Sequence, residues 1–508
     1  MTTFHGGQIL GDQILKSGSA VFSATNPATG ERLPGDFHEA TTAEIERALR
    51  LAVSAQLSLK RIAPARRADL LDAVADGIDS LGDTLLDRAQ AETGLPLPRL
   101  TAERGRTTGQ LRGFAHQVRE GLGVATTDPG DPSRTPLAKP NLTRVLRGIG
   151  PVAVFGASNF PLAFSVAGGD AASALAAGCT VIVKAHPAHP GTSELVGSVF
   201  AQAIETLGLH EGIFGMIQGQ SHETGVCLVQ QEPLRAVAFT GSFAGGAALF
   251  RLAAQRKTPI PVFAEMGSTN PVFLLPGALQ ARAESLAAGL AGSVCQGAGQ
   301  FCTNPGLLVA LTGPATDRLA AALAKGLSGQ ALHPMLHAGL RDAYVRGLEA
   351  AAQITGVERR VSGGAGAGHA DARPALLVTT AERWMSESLL QEEIFGPATL
   401  LVICTDPEQM RSVAARLPGQ LTATLHAEPA DFDTVRDLLP ILEEKAGRLL
   451  FGGVPTGVEV SPAMHHGGPW PATTDARFTS VGAAAVERFL RPVCYQDFPA
   501  EFEIGNSD

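Results

Sequence analysis

Pro151-Val152-Ala153-Val154-Phe155-Gly156-Ala157-Ser158-Asn159-Phe160-Pro161 is a short apolar run closed by a glycine, then an amide side chain, then a renewed apolar stretch. Bounded by Gly150 and Gly156, the run reads as a fully buried strand feeding a helix expected over 161–177. The pattern repeats downstream. Thr180 to Lys184, Ile213 to Ile217, Ala236 to Phe239 and Pro261 to Ala264 read as strands, with helices expected over 192–207 and 242–256. Apolar runs alternating with helices define an α/β fold whose parallel sheet is covered on both faces. Ligands of such sheets bind beyond the carboxyl ends of the strands. Asn159, Lys184, the Gly241-Ser242 turn and Glu265 all fall at or just beyond such ends.

Working outward, Phe263-Ala264-Glu265-Met266-Gly267-Ser268-Thr269-Asn270-Pro271 interrupts an apolar strand with an acid, which must be either buried or functional. In Cys295-Gln296-Gly297-Ala298-Gly299-Gln300-Phe301-Cys302-Thr303-Asn304-Pro305-Gly306, a helical pattern gives way to spaced glycines and a Pro-Gly signal. That places Cys302 in a tight loop, where a thiolate can reach a substrate; the alternative is a small apolar filler. A second alternating region follows, with a strand near 307–310 and helices expected over 316–327 and 341–353. Gly363 to His369 reads as a flexible surface loop. His465-His466 invites a metal reading, but adjacent residues do not share a helix face and no third ligand is evident, so no metal is expected. Upstream, the capping box Thr41-Thr42-Ala43-Glu44 opens a helix. Further helices are expected over 66–81 and 99–120, the last bearing Arg104, Arg106 and Arg112, and a hairpin over 126–148.

With 508 residues, 44% hydrophobic and 18% charged, the chain can bury large cores in two or three units. A formal net charge of −9 lacks the basic balance that nucleic acid or an anionic membrane attracts, so neither is expected as a partner. Six cysteines without CxxC spacing suit a reducing compartment. The amino terminus reads as neither signal nor transit peptide, and no apolar run reaches membrane-span length, so a cytoplasmic location is expected.

Asn159, Glu265 and the Phe301-Cys302-Thr303 loop, in that order, resemble the aldehyde dehydrogenase superfamily, and the similarity runs from about Thr25 to Pro499. The resemblance implies a Rossmann-type parallel-sheet cofactor-binding domain (1–124 and 146–264), an α/β catalytic domain (265–484), and a small β oligomerisation arm (125–145 and 485–508) joining a homodimer or homotetramer. It also implies oxidation of a small-molecule aldehyde with NADP or NAD. In that scheme Cys302 attacks the carbonyl, Asn159 and the Cys302 N–H hold the oxyanion, and Glu265 activates water against the thioester. A coenzyme A-dependent acylating relative and a non-catalytic binding or structural protein are the alternatives; Glu265 favours hydrolysis.

For the cofactor, Phe239 to Gly246 resembles the family's Gly-Ser-x-x-x-Gly turn, which assigns Gly241, Ser242 and Gly246 to the pyrophosphate. Lys184, otherwise readable as a solvated strand-end charge, becomes a ribose contact, and Glu393, otherwise a surface acid, accepts from ribose hydroxyls beside Phe395. Lys184 is followed by Ala185-His186-Pro187, with no acid where NAD-preferring relatives carry one, and His222 stands where some NADP-using relatives carry arginine. His186 and His222 are therefore expected near the adenosine ribose, with both cofactors used and a lean to NADP.

For the substrate, Ala163 and Ala167 lie four and eight residues beyond Asn159, where small side chains leave tunnel space beside Phe160, Phe301 and Thr303. Arg106 and Arg112 are candidate partners of a substrate carboxylate, although pairing with Glu103 and Glu120 also explains them. Phe160 to Cys179, Arg104 to Arg112 and His466 to Asp475 are most similar to the branch that oxidises 2-oxoglutarate semialdehyde (2,5-dioxopentanoate). A medium-chain or fatty aldehyde is the alternative substrate.

Overall fold

The computed structural model describes residues 3–123, 125–502 and 504; residues 505–508 of the expected arm lie outside them. Strands Val152–Phe155, Val181–Lys184, Phe214–Ile217, Ala236–Thr240 and Val262–Glu265 form the parallel part of a seven-stranded sheet. Gln8–Leu10 and Gln13–Leu15 extend it antiparallel beyond Phe214–Ile217. Alternation along each strand divides the core in two. Val152, Val154, Val181, Val183, Ala236 and Ala238 pack under helices Pro64–Ser80, Leu97–Glu120 and Pro190–Thr206. Ala153, Phe155, Ile182 and Val237 face helices Thr42–Leu59, His222–Gln230 and Phe243–Ala254 on the other side.

A second sheet of eight strands runs in the order His333–Pro334, Asp371–Thr380, Ala398–Cys404, Leu307–Leu311, Val272–Leu274, Gln420–His426, Ala446–Phe451. The six strands from Asp371–Thr380 onward are parallel, and Glu358–Ala365 pairs antiparallel with Asp371–Thr380. A third sheet joins Thr126–Asp128, Leu142–Gly148 and Leu490–Gln496, so its middle strand runs past residue 145 and stitches the two ends of the expected arm together.

Two local expectations are corrected. The helix expected over 161–177 spans only Gly169–Ala176. Residues 161–168 form turns instead, because the buried Glu103 carboxylate accepts the N–H groups of Leu162 (2.8 Å) and Ala163 (3.0 Å). The glycine-rich stretch from Gly363 is not wholly loop. Strand Glu358–Ala365 includes its start, with Gly363 and Gly364 at φ of 63° and 103°, a conformation glycine adopts without steric cost.

The two large sheets are tied by a loop rather than by a regular element. Past Gly468 the chain lies along the free edge of Val262–Glu265: Met266 N–H donates to the Ala472 carbonyl (2.8 Å) and Thr474 N–H to that of Ala264 (3.1 Å). This pairing carries His466 to Glu265.

Candidate active site

Asn159 lies just past strand Val152–Phe155, Glu265 ends strand Val262–Glu265, and Cys302 follows helix Pro276–Cys295. Between that helix and Cys302 the chain reverses through Gly297, Ala298 and Gly299, all left-handed at φ of 57°, 55° and 70°. A Cβ on Gly299 would fall 2.2 Å from the Gly396 carbonyl carbon, so the turn demands glycine there. Asn270, itself left-handed at φ 47°, braces the loop: its Nδ2 donates to the carbonyls of Cys302 (2.8 Å) and Asn304 (2.9 Å). Asn159 Nδ2 donates one hydrogen to the Gln300 carbonyl at 3.0 Å, and its second N–H remains for a ligand.

At the centre, Cys302 Sγ lies 3.5 Å from His466 Nε2, which is 3.0 Å from Glu265 Oε1. Ser480 Oγ donates to the other Glu265 oxygen, and the hydroxyl of Thr479 accepts the His466 N–H at 2.8 Å. His466 and Glu265 are buried and Cys302 is half-buried. Burial works to raise the Glu265 pKa, but His466, the Ser480 hydroxyl and the Cys302 thiol outweigh it, and the carboxyl is held below its usual range. Burial and the facing Glu265 charge push the Cys302 thiol well up, with Arg106 pulling the other way. An isolated thiol so placed stays protonated, so it needs a neighbouring base. Glu265, which accepts both the His466 Nε2–H and the thiol hydrogen bond, is in position to be that base. Sequence reading weighed His466 only as half of an adjacent histidine pair. Tertiary structure supplies the partners that reading lacked, Glu265 and Cys302, whose ligating atoms lie with His466 Nε2 within 4.8 Å of one another.

The arginines separate cleanly. Arg112 is exposed and bonds Asp76 (2.7 Å) and Asp79 (2.9 Å) on the neighbouring helix, so its expected substrate contact is withdrawn. Arg106 points inward: its carbon Cζ is 5.3 Å from the Phe164 ring centroid, and its Nε and Nη2 are buried with no hydrogen-bond partner among the described residues. Burial lowers the Arg106 pKa, while Cys302, Glu103 and Glu265 oppose that shift through their charges. Arg99, which sequence reading missed, lies between the rings of Phe160 (4.9 Å) and Phe301 (4.6 Å) and donates to the Asn159 carbonyl (2.6 Å). Ala163 and Ala167 are corrected as tunnel positions. They are 0% and 1% exposed and packed into core clusters, since the segment is turn rather than helix and the four-residue spacing has no face to act on. Thr303 is likewise buried, its hydroxyl accepting from Gly457 N–H at 3.2 Å, which makes it a brace for the loop.

At the cofactor end, Gly241 and Ser242 open helix Phe243–Ala254, both exposed; Ser242 Oγ caps Gly245 N–H (3.2 Å), and a Cβ on Gly246 would strike Met266 at 2.6 Å. Lys184 Nζ donates to the Gly219 carbonyl at 2.5 Å, and burial lowers its pKa to about 8. Glu393 and Phe395 line a recess with Ser268 and Thr269. Burial pushes the Glu393 carboxyl up to about 8, against the Ser268 backbone N–H that it accepts, and the carboxyl keeps further lone pairs for hydroxyl donors. His222 is exposed at the first turn of its helix, and His186 stacks on His189 with ring centroids 5.5 Å apart. An exposed helix N-terminus, a strand-end lysine and an acid-lined recess fit a dinucleotide.

Residues 14–434 match the model of the aldehyde dehydrogenase family, and the chain belongs to that family. It is an oxidoreductase acting on the aldehyde group of its donor, with NAD or NADP as oxidant. It is 49% identical to alpha-ketoglutaric semialdehyde dehydrogenase 2 of Azospirillum brasilense, over 97% of this chain and 94% of that protein. It is 44% identical to the alpha-ketoglutaric semialdehyde dehydrogenase of Acinetobacter baylyi, over 98% and 94%. Among solved structures, a Thermus 1-pyrroline-5-carboxylate dehydrogenase with bound NAD superposes with a TM-score of 0.82 at 20% identity, covering 97% of this chain and 93% of that one. The fold is thus that of the family.

Proposed function

We propose that this chain oxidises 2-oxoglutarate semialdehyde to 2-oxoglutarate. The observation that carries the substrate reading is Arg106, whose guanidinium has two buried nitrogens unpartnered among the described residues and a charge that bears on the Cys302 thiol. A buried cation without a partner is costly unless a ligand supplies one. A carboxylate at the far end of a short aldehyde does so with two parallel hydrogen bonds. The names of the two relatives above favour the same acid, whereas a fatty aldehyde would leave Arg106 unpaired.

In this reading Glu265 takes the proton of Cys302 as the sulfur attacks the aldehyde carbon, its carboxylate held in place by His466 Nε2–H and the Ser480 hydroxyl. The oxyanion of the thiohemiacetal is held by the free Asn159 N–H and the Cys302 backbone N–H. Bound NAD or NADP, held by Lys184, Glu393, Phe395 and the Gly241-Ser242 turn, supplies the hydride acceptor. With its first proton passed to solvent, Glu265 then takes a proton from water as the oxygen attacks the Cys302 thioester, which releases the acid and the Cys302 thiolate. The three-stranded sheet of Thr126–Asp128, Leu142–Gly148 and Leu490–Gln496 is read as the arm of a homo-oligomer.

The test is kcat/KM across 2-oxoglutarate semialdehyde, succinate semialdehyde, glutaraldehyde, hexanal and benzaldehyde. The oxo-acid is expected to lead; hexanal equal to or ahead of it overturns the reading.

Cofactor choice turns on a residue that no sequence motif marks. Glu39 accepts from Ser221 N–H (3.0 Å) and from the hydroxyls of Ser221 and Thr224, at the start of helix His222–Gln230, and its charge bears on Lys184. Burial works to raise its pKa, but these hydrogen bonds and Lys184 outweigh it and leave it lowered, so it is an anion at neutral pH. The acid missing after Lys184 is thus supplied in space, which offsets the lean to NADP. Both cofactors are expected to serve. Glu39→Gln should shift the kcat/KM ratio toward NADP by about tenfold, roughly 1.4 kcal/mol; an unchanged ratio removes Glu39 from the specificity account.

A further inference from the structure

We propose that Glu265, Cys302 and His466 together form a reversible inhibitory site for a thiophilic divalent cation, with zinc the ion that fits. The three donors are thiolate, imidazole and carboxylate, the set zinc takes where it leaves one position for water. The geometry is close to ready. Zinc bonds of about 2.3 Å to sulfur and 2.0–2.2 Å to nitrogen and oxygen require tetrahedral edges near 3.6 Å between S and N and near 3.3 Å between N and O. The edges present are 3.5 Å from Cys302 Sγ to His466 Nε2 and 3.0 Å from His466 Nε2 to Glu265 Oε1. All three ligating atoms lie within 4.8 Å of one another, so small side-chain shifts complete the site.

Charge and support point the same way. A thiolate and a carboxylate cancel the two positive charges of the ion, so the filled cluster is neutral in a buried setting. Ser480 Oγ fixes the carboxylate by its second oxygen, and the Thr479 hydroxyl fixes the His466 backbone. One feature limits affinity. Ligation through Nε2 puts the imidazole hydrogen on Nδ1, which is buried without a partner among the described residues. Binding on the order of micromolar is therefore expected, rather than the much tighter hold of structural zinc. On binding, the Cys302 thiol releases its proton to solvent and a Zn–S bond forms; no electron moves. Water occupies the fourth position. The ion would hold the nucleophile and the hydrolytic carboxylate together in one inert complex.

Loss of turnover rests on the reading of Cys302 as nucleophile; binding itself does not, and the experiment separates them. Metal-free enzyme is titrated with zinc, and with cobalt(II) as the spectroscopic probe. One equivalent is expected to bind, activity to fall in step with occupancy, and a chelator to restore it. The cobalt complex should show a thiolate-to-metal charge-transfer band that Cys302→Ser abolishes, and His466→Gln should weaken zinc binding by about tenfold or more by calorimetry. Zinc should also shield Cys302 from iodoacetamide, read as loss of the Cys302 adduct by peptide mass spectrometry, which reports on the unmodified chain. Cobalt bound without the band, Cys302→Ser binding zinc as tightly as the parent, or unshielded Cys302 at full occupancy each overturns the site. If zinc binds as described while Cys302→Ser still turns over, the nucleophile assignment fails and the site stands.

Discussion

Cys302→Ser is expected to lower steady-state turnover by on the order of 10⁴-fold or more, the scale of removing a covalent nucleophile, while leaving the fold and cofactor binding intact. Serine keeps the size, and Asn270 still braces the backbone carbonyl at position 302, so the loss is chemical. A hydroxyl there faces His466 across a gap of 3.5 Å in the parent, but it deprotonates far less readily than a thiol and its ester is hydrolysed with more difficulty than a thioester. Glu265→Gln should behave differently. Gln cannot take the thiol proton, but removing the charge also removes one of the influences that keep the Cys302 thiol protonated, so the first half-reaction survives, slowed, with water as the base. Hydrolysis loses its base, and steady-state rate falls by about 10²–10⁴-fold. Rapid mixing should then show one reduced cofactor per site, followed by a stall with thioester on Cys302, visible by mass spectrometry. His466→Gln should instead slow burst and hydrolysis together, because Glu265 loses the donor that orients it. Normal steady-state turnover by the Glu265→Gln enzyme would remove Glu265 from the hydrolytic step.

Arg106→Ala is expected to cost about 10²–10³-fold in kcat/KM for 2-oxoglutarate semialdehyde, or roughly 3–4 kcal/mol, because truncation leaves the substrate carboxylate buried without its partner. Hexanal, which has no carboxylate, should change by only a few-fold, so the ratio between the two substrates isolates the clamp from any general disturbance. Arg106→Lys should recover part of the loss, since an ammonium supplies charge but not the paired geometry of a guanidinium. Arg112→Ala is the control: its partners Asp76 and Asp79 are exposed, such surface pairs are worth about 0–1 kcal/mol, and substrate preference should not move. If Arg106→Ala leaves the ratio unchanged, the acid recognition lies elsewhere.

Much of this was legible in one dimension. Short apolar runs alternating with helical patterns located the parallel strands, because a strand buried on both faces has no polar side to show. The same reading put Asn159, Lys184 and Glu265 at strand ends and Cys302 in a tight turn, since local backbone chemistry is written in Gly, Pro and Asn. What the sequence could not display was which distant segments meet. His466 lies 164 residues from Cys302 and 201 from Glu265, and only the edge pairing of residues 472–474 with strand Val262–Glu265 brings it to them. Glu39 reaches Ser221 and Thr224 across 182 and 185 residues in the same way. Periodicity failed at Ala163 and Ala167 because a buried carboxylate from another helix, Glu103, captured the backbone N–H groups that a helix start leaves free. Arg106 and Arg112 sit on one helix and read alike as sequence; burial against Phe164 and exposure beside Asp76 and Asp79 decided which of them turns inward. Residue type and local turn chemistry thus determined the strands and the candidate groups, and the family resemblance the reaction class, whereas pairing between segments far apart in the chain decided the partners of the base, the clamp and the electrostatics of the nucleophile.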